Sequence, residues 1–344
     1  MSEDRLHVVF RCDAAPEIGM GHVVRSAALA EELRDRHGCD VRFAIRYGPL
    51  GIEYLRRRGL PVHSPPEGPH DDLSWLESAA GTMSPWVLIL DVRDDTPVEA
   101  IRMLRERGAL IVSLDDPSDR RLAADLAFYP PVPQVKRWSW DGFTGRLYWG
   151  WEWVVLRREF ARSPERSPNR IPVVLVTAGG SDPAGVTLKA VTALDRLEAE
   201  FTSCVVLGAG FLHDQALTEM LARARHRFEV YRNVSEIHHL MARADLAIAS
   251  FGVTAYELAA MGVPAIHLCL TADHAESASI FADAGIAINL GEHQRVSVEE
   301  LGDVVSRCLG DLATLAQMSH RARACVDGCG AVRVAREAVR RARS

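Results

Sequence analysis

Short runs of β-branched and apolar residues alternate with longer amphipathic stretches along most of the chain. In the first half, 6–11, 41–45, 86–91 and 110–114 read as strands, and 22–37, 50–58 and 97–107 as helices. The pattern restarts with strands at 172–177, 201–207, 228–231, 246–250, 265–270 and 287–290, separated by helices at 185–199, 214–225, 235–243, 254–261 and 276–284. Parallel strands need long crossovers, so this alternation predicts helix-flanked parallel sheets. Two series predict two α/β halves, and 344 residues suit two domains at roughly 100–200 residues each, with function in a cleft between them. The break is RSPERSPNR at 162–170, which has no apolar residue and reads as a linker. The expected domains are therefore 1–161 and 171–344. The stretch 298–343 is helical in period, and its terminal helix is expected to return to the N-terminal domain.

Charge and cysteine usage exclude several classes. With 40 Lys plus Arg against 46 Asp plus Glu, the net charge of −6 gives no general attraction to nucleic acid or anionic membrane. The arginine-rich end (Arg333, Arg336, Arg340, Arg341, Arg343) reads as a solvated helical face. The seven cysteines are scattered without CxxC pairs, as expected of reduced thiols in a cytoplasmic protein. Cys325 and Cys329 are expected on one helix face, but two ligands do not make a metal site, and no metal or cofactor is expected. The first seven residues are polar and no apolar run approaches the ~18 residues of a membrane span.

Chemistry-bearing residues gather after strands. The first strand runs into Ile18-Gly19-Met20-Gly21-His22, where glycines let a helix N-terminus approach a bound group. Val24 occupies the third glycine position of the dinucleotide fingerprint, so this is not that motif. His22, at the positive end of a helix, is disfavoured as an imidazolium and suits a general base; capping or wall packing is the bland alternative. After the strand ending at Thr177, Ala178-Gly179-Gly180-Ser181-Asp182 offers backbone N–H groups and a hydroxyl to phosphate. Ser250-Phe251-Gly252-Val253-Thr254 repeats that geometry ahead of Glu257, although Thr254-x-x-Glu257 also fits a capping box. Asp273 and His274 follow another strand. So do Asp91, Asp94 and Asp95, and Asp115 and Asp116, at the carboxyl edge where open α/β folds bind ligands. Five of the seven tryptophans lie at 138–153; Trp149, Trp151 and Trp153 alternate as on one strand face, and either form a stacking wall or pack between domains.

In order, the segments IGMGHVVRSAALAEEL, LDVRDD, SLDDPSDRRLAADLAFYP, WGWEWVVLRREF, AGGSDPAGVTLKAV and SFGVTAYELAAMGVPAIHLCLTADHAESA resemble the nucleotide-sugar hydrolase of the pseudaminic acid pathway and the related spore-coat polysaccharide proteins. A more distant likeness links them to the lipid-linked N-acetylglucosaminyltransferase of peptidoglycan synthesis. The resemblance implies two Rossmann-like domains facing a cleft, the GT-B fold, with the nucleotide on the C-terminal domain. It makes His22 the general base, with Gly21, Asp91, Arg93, Asp116 and His274 near the sugar. It brings Gly180, Ser181, Asp182 and Ser250 to Thr254 to the pyrophosphate, Glu257 to the ribose, and the backbone at Asn233 and Val234 to the base.

The implied reaction is attack of water on a UDP-linked 6-deoxy diacetamido sugar, releasing UDP. Two departures bear on the sugar: Arg93 stands where the hydrolase has tyrosine, and His274-Ala275 where it has Asn-Gln. Arg93 suits an anionic sugar, or a salt bridge to Asp91 or Asp94. The rivals are an inverting GT-B glycosyltransferase, with the tryptophans walling an acceptor groove, and a nucleotide-sugar binding protein without catalysis.

Overall fold

A computed structural model describes residues 5–14, 19–68, 71–81, 86–161 and 169–344. Ile18, the first four residues and positions 162–168 of the expected linker lie outside them. The chain divides into two compact units: one takes the chain to Arg158 and resumes at Cys329, and the other runs from Glu159 to Gly328.

The first unit is a seven-stranded parallel sheet in the order β3-β2-β1-β4-β5-β6-β7. Its elements run β1 (His7–Cys12), α1 (Gly21–His37), β2 (Asp40–Ala44), α2 (Pro49–Arg57), β3 (Val62–His63), α3 (Asp72–Ala80), β4 (Trp86–Asp91), α4 (Val98–Glu106), β5 (Ala109–Leu114), β6 (Leu126–Tyr129) and β7 (Arg146–Trp149). β4 is buried along its whole length, as expected of a central parallel strand. α1 lays Val23, Ala27, Leu29, Ala30 and Leu33 into a core with Phe10 and Phe43, whose rings stack 4.9 Å apart. It ends at Gly38, whose φ of 68° closes the helix in the left-handed conformation. The last helix of the chain, Gly330–Ala342, belongs to this unit and buries Val334, Ala335 and Ala338 in the same core. It starts at glycine because a Cβ there would lie 2.0 Å from the Val154 carbonyl.

Three short elements escape the hydrophobic pattern: β3, too brief for a period, and β6 and β7, which flank a proline-rich turn. α3 was also missed; its N-cap is Asp71, accepting from Ser74 N–H.

The second unit is a six-stranded parallel sheet in the order β10-β9-β8-β11-β12-β13. It comprises β8 (Val173–Thr177), α5 (Val186–Asp195), β9 (Thr202–Leu207), α6 (Asp214–Leu221), β10 (Phe228–Arg232), α7 (Ile237–Arg243), β11 (Leu246–Ser250), α8 (Val253–Ala260), β12 (Ala265–Cys269), α9 (Ala272–Asp283), β13 (Ala287–Glu292), α10 (Val298–Gly310) and α11 (Leu312–Cys325). Val174, Val176, Ile248, Ile266 and Leu268 face a core closed by Leu194, Leu301 and Val305. Cys325 ends α11 whereas Cys329 caps the following helix, so the two do not share a helix face. All seven cysteines are free, and among the described residues no helix is long and apolar enough to cross a membrane.

Candidate active site

Both sheets reverse strand order once, and the candidate residues collect at those points. In the first unit the reversal lies between β1 and β4, which pair from His7↔Trp86 to Cys12↔Asp91. Crossovers leave in opposite directions there, opening a crevice at the carboxyl edge. α1 follows β1 and begins at Gly21, so His22 stands on its first turn above the end of β4.

Asp91, the fully buried last residue of β4, is the centre of this arrangement. His22 Nδ1 lies 2.6 Å from its Oδ1. One turn along α1, Arg25 donates from Nε to Oδ2 at 2.7 Å and from Nη2 to Oδ1 at 2.5 Å, and Ser26 Oγ donates to Oδ2 at 3.0 Å. The spacing i, i+3, i+4 puts all three donors on one helix face. Burial alone would push the Asp91 carboxyl up, but Arg25 and then His22 outweigh it and hold it well below the usual carboxylate range. An ionised Asp91 only accepts, so Nδ1 turns a proton towards it, and in the neutral tautomer that this favours Nε2 is the proton acceptor. The His22 side chain is 15% exposed, enough for a reacting hydroxyl to reach it.

The sequence pointed to His22 and Asp91 separately. It missed Arg25 and Ser26, whose signal is the H-x-x-R-S spacing, and the role of Asp115, which takes Arg25 Nη1 at 3.1 Å from the loop after β5. Arg93 lies 3.6 Å from Asp115 with its side chain 42% exposed, so it pairs with neither Asp91 nor Asp94. Asp94 is instead held by Arg11 and Arg120.

Asp116 does not join this group. Its carboxylate is buried, accepting from Arg120 Nε at 3.0 Å and Ser118 N–H at 2.8 Å, so the fold consumes the acceptors a sugar would need. Four of the tryptophans pack on residues of the first unit. Trp138 and Trp140 flank the Arg121 guanidinium at 5.5 and 5.4 Å, Lys136 covers Trp149, and Trp153 packs on Phe128 and Tyr148. β7 ends at Trp149 and residues Trp151–Trp153 form a 3-10 turn, so the three do not alternate on a strand.

In the second unit the reversal lies between β8 and β11, paired through Thr177 and Ala249. The loop after β8 exposes Gly179 and Gly180 and half-exposes Ser181; β11 ends at Ser250, and Gly252 lies in the turn that follows. A Cβ on Gly179 would be 3.9 Å from Ser250 Oγ, so the two loops are neighbours, and Gly180 and Gly252 both border open space. Gly208, after β9, supports the first loop: a Cβ there would strike the Gly180 carbonyl at 2.3 Å.

The Asp182 side chain is committed to its own helix. It is buried, and its two oxygens accept from Val186 and Thr187 N–H, each at 2.8 Å, capping α5. That leaves the backbone of this loop to meet a diphosphate. Phe251 gives its ring to a cluster with Tyr256, His267 and Phe281, leaving its backbone alone for a ligand.

α8 is capped at Gly252, which places Thr254 inside the helix and not at its cap; the capping-box reading therefore fails. Val253 and Thr254 occupy the first turn, with Glu257 buried one turn on. His274 sits in the first turn of α9, its N–H donating to Thr271 Oγ1, with its ring 6.1 Å from that of Phe251. Val234 follows Asn233, which takes a φ of 50° at the end of β10 and donates its N–H to the Leu207 carbonyl. Among the described residues, no three His, Cys, Asp or Glu side chains gather as metal ligands.

Two doubly wound α/β domains, each with its loops at a strand-order reversal, define the class of fold as GT-B. No family model matches the chain. It is 26% identical over 335 residues to the spore coat polysaccharide biosynthesis protein SpsG of Bacillus subtilis, across 96% of each chain. The solved structure of MurG from Acinetobacter baumannii is similar with a TM-score of 0.70 at 16% identity, covering 98% of this chain and 100% of that one. CalG4, the calicheamicin glycosyltransferase, gives a TM-score of 0.65 at 18% identity over 98% of each.

Proposed function

We propose that this chain is an inverting glycosyltransferase acting on a nucleotide-sugar, UDP-linked by its sequence resemblance, in surface-polysaccharide synthesis. The observation that carries the proposal is the His22–Asp91 pair, a histidine whose second nitrogen is free to take a proton at the carboxyl edge of a sheet. The glycosyltransferase named among its structural neighbours, and the likeness to a polysaccharide biosynthesis protein over nearly the whole chain, support it.

An acceptor hydroxyl attacks the anomeric carbon as His22 Nε2 takes its proton. The bond from that carbon to the diphosphate oxygen breaks, and the nucleoside diphosphate leaves with the electron pair. The N-terminus of α8 and the Gly180–Ser181 loop would hold the leaving diphosphate with backbone N–H groups, and Glu257 the ribose.

Hydrolysis is the second reading, favoured by the ordered segments that resemble the pseudaminic-pathway hydrolase; water then replaces the hydroxyl and UDP and free sugar are released. Nucleotide release from UDP-, GDP- and CMP-sugars, with and without saccharide acceptors, separates the two. Release that needs an acceptor supports transfer, release in water alone supports hydrolysis, and binding without any release overturns both.

A further inference from the structure

We infer that Arg25 is a positioning residue that sets the proton affinity of His22 by neutralising Asp91, and that Asp115 moderates Arg25 in turn. The inference rests on the reading of His22 as the base. A fully buried carboxylate 2.6 Å from an imidazole favours the imidazolium and, alone, would make His22 a proton donor. Arg25 meets the same carboxylate through two bonds and brings Nη2 to 3.3 Å from His22 Nδ1, so the imidazole faces a nearly neutral pair.

A planar guanidinium engages both Asp91 oxygens and keeps Nη1 for Asp115, which a single ammonium cannot do. The charged and titratable groups joined to His22 lie on several elements. Asp91 on β4 and Arg25 on α1 meet it directly; Ser26 on α1 and Cys12 at the end of β1 adjoin Asp91, Asp115 on the loop after β5 takes Arg25, and Arg93 on the loop after β4 lies by Asp115. Burial, then Asp91, keeps Cys12 a neutral thiol, so it adds no charge.

The test follows the pH dependence of kcat/KM and the 15N signals of the His22 ring in the full chain. The variants are Arg25→Gln, Arg25→Lys and Asp115→Asn. Arg25→Gln is expected to move the acid limb and the ring titration up by about one to three units, with KM little changed. Arg25→Lys keeps the charge and returns both towards wild type. Asp115→Asn leaves more of the Arg25 charge for Asp91 and moves both down, and its side chain, 23% exposed, tolerates the change.

Unmoved titrations in Arg25→Gln and Asp115→Asn overturn the inference. If Arg25→Gln does not fold, Asp115→Asn decides alone: a downward move supports the inference, and an upward or absent one overturns it. Loss of the base reading is separately visible: His22→Ala would then keep its turnover, while the ring titration in the Arg25 and Asp115 variants, which retain His22, still reports on Arg25.

Discussion

His22 and Asp91 are 69 positions apart in sequence, yet their side chains meet at 2.6 Å because β1 and β4 are neighbours at the strand-order reversal. The histidine comes from the helix after one strand and the carboxylate from the end of the other. Asp91→Asn keeps the volume and removes the charge that fixes the ring. Turnover is expected to fall by about 10²–10⁴ with nucleotide affinity unchanged, measured by steady-state rates beside calorimetric titration of UDP. A full rate in that variant would make the pair a structural contact.

Glu257 lies buried in α8. If its carboxylate accepts from ribose hydroxyls, Glu257→Ala weakens UDP binding by about 10–100-fold, the loss of charged hydrogen bonds worth about 1.5–3 kcal/mol. Equal affinity in the two proteins would confine Glu257 to the folding of its helix.

Asp182 closes the N-terminus of α5 with two short bonds and holds a φ of 45°. Asp182→Ala strands two buried N–H groups and is expected to cost about 2 kcal/mol in urea unfolding. Asp182→Asn keeps one acceptor oxygen and should leave UDP affinity intact. A large affinity loss in Asp182→Asn would restore the phosphate role.

His267, on β12, is fully buried, and neither ring nitrogen has a hydrogen-bond partner among the described residues. Burial pushes it down from 6.5 to about 4. The unfolded chain therefore binds this proton between those values and the folded one does not, so stability is complete above pH 6.5 and falls as the pH drops towards 4. The full effect of that shift is about 3 kcal/mol. His267→Leu should flatten this part of the curve, seen as urea midpoints at pH 7.5 and 4.5 that differ less than in wild type. Parallel curves would show that His267 is not the group responsible.

The alternation of strands and helices was legible because central parallel strands such as β4 and β11 are continuous apolar runs. The two-residue β3 carries no period, and Arg11 shows the limit for charge: it closes the strand run 6–11 with no sign in the sequence of its burial, yet it is fully buried against Asp13 and Asp94. At the site, His22 could be singled out from its place after GxG, whereas the capping by Asp182 and the Arg120 pairing of Asp116 could not be read from the sequence. Capping and ligation draw on the same residue type in the same loops, and only the partners distinguish them.

The most direct test of the central claim is single-turnover release of nucleotide from the accepted donor, with its acceptor saturating, in wild type and His22→Ala. If His22 takes the proton of the attacking oxygen, release slows by about 10²–10⁴ while donor affinity holds. Release at the wild-type rate from His22→Ala would contradict the account.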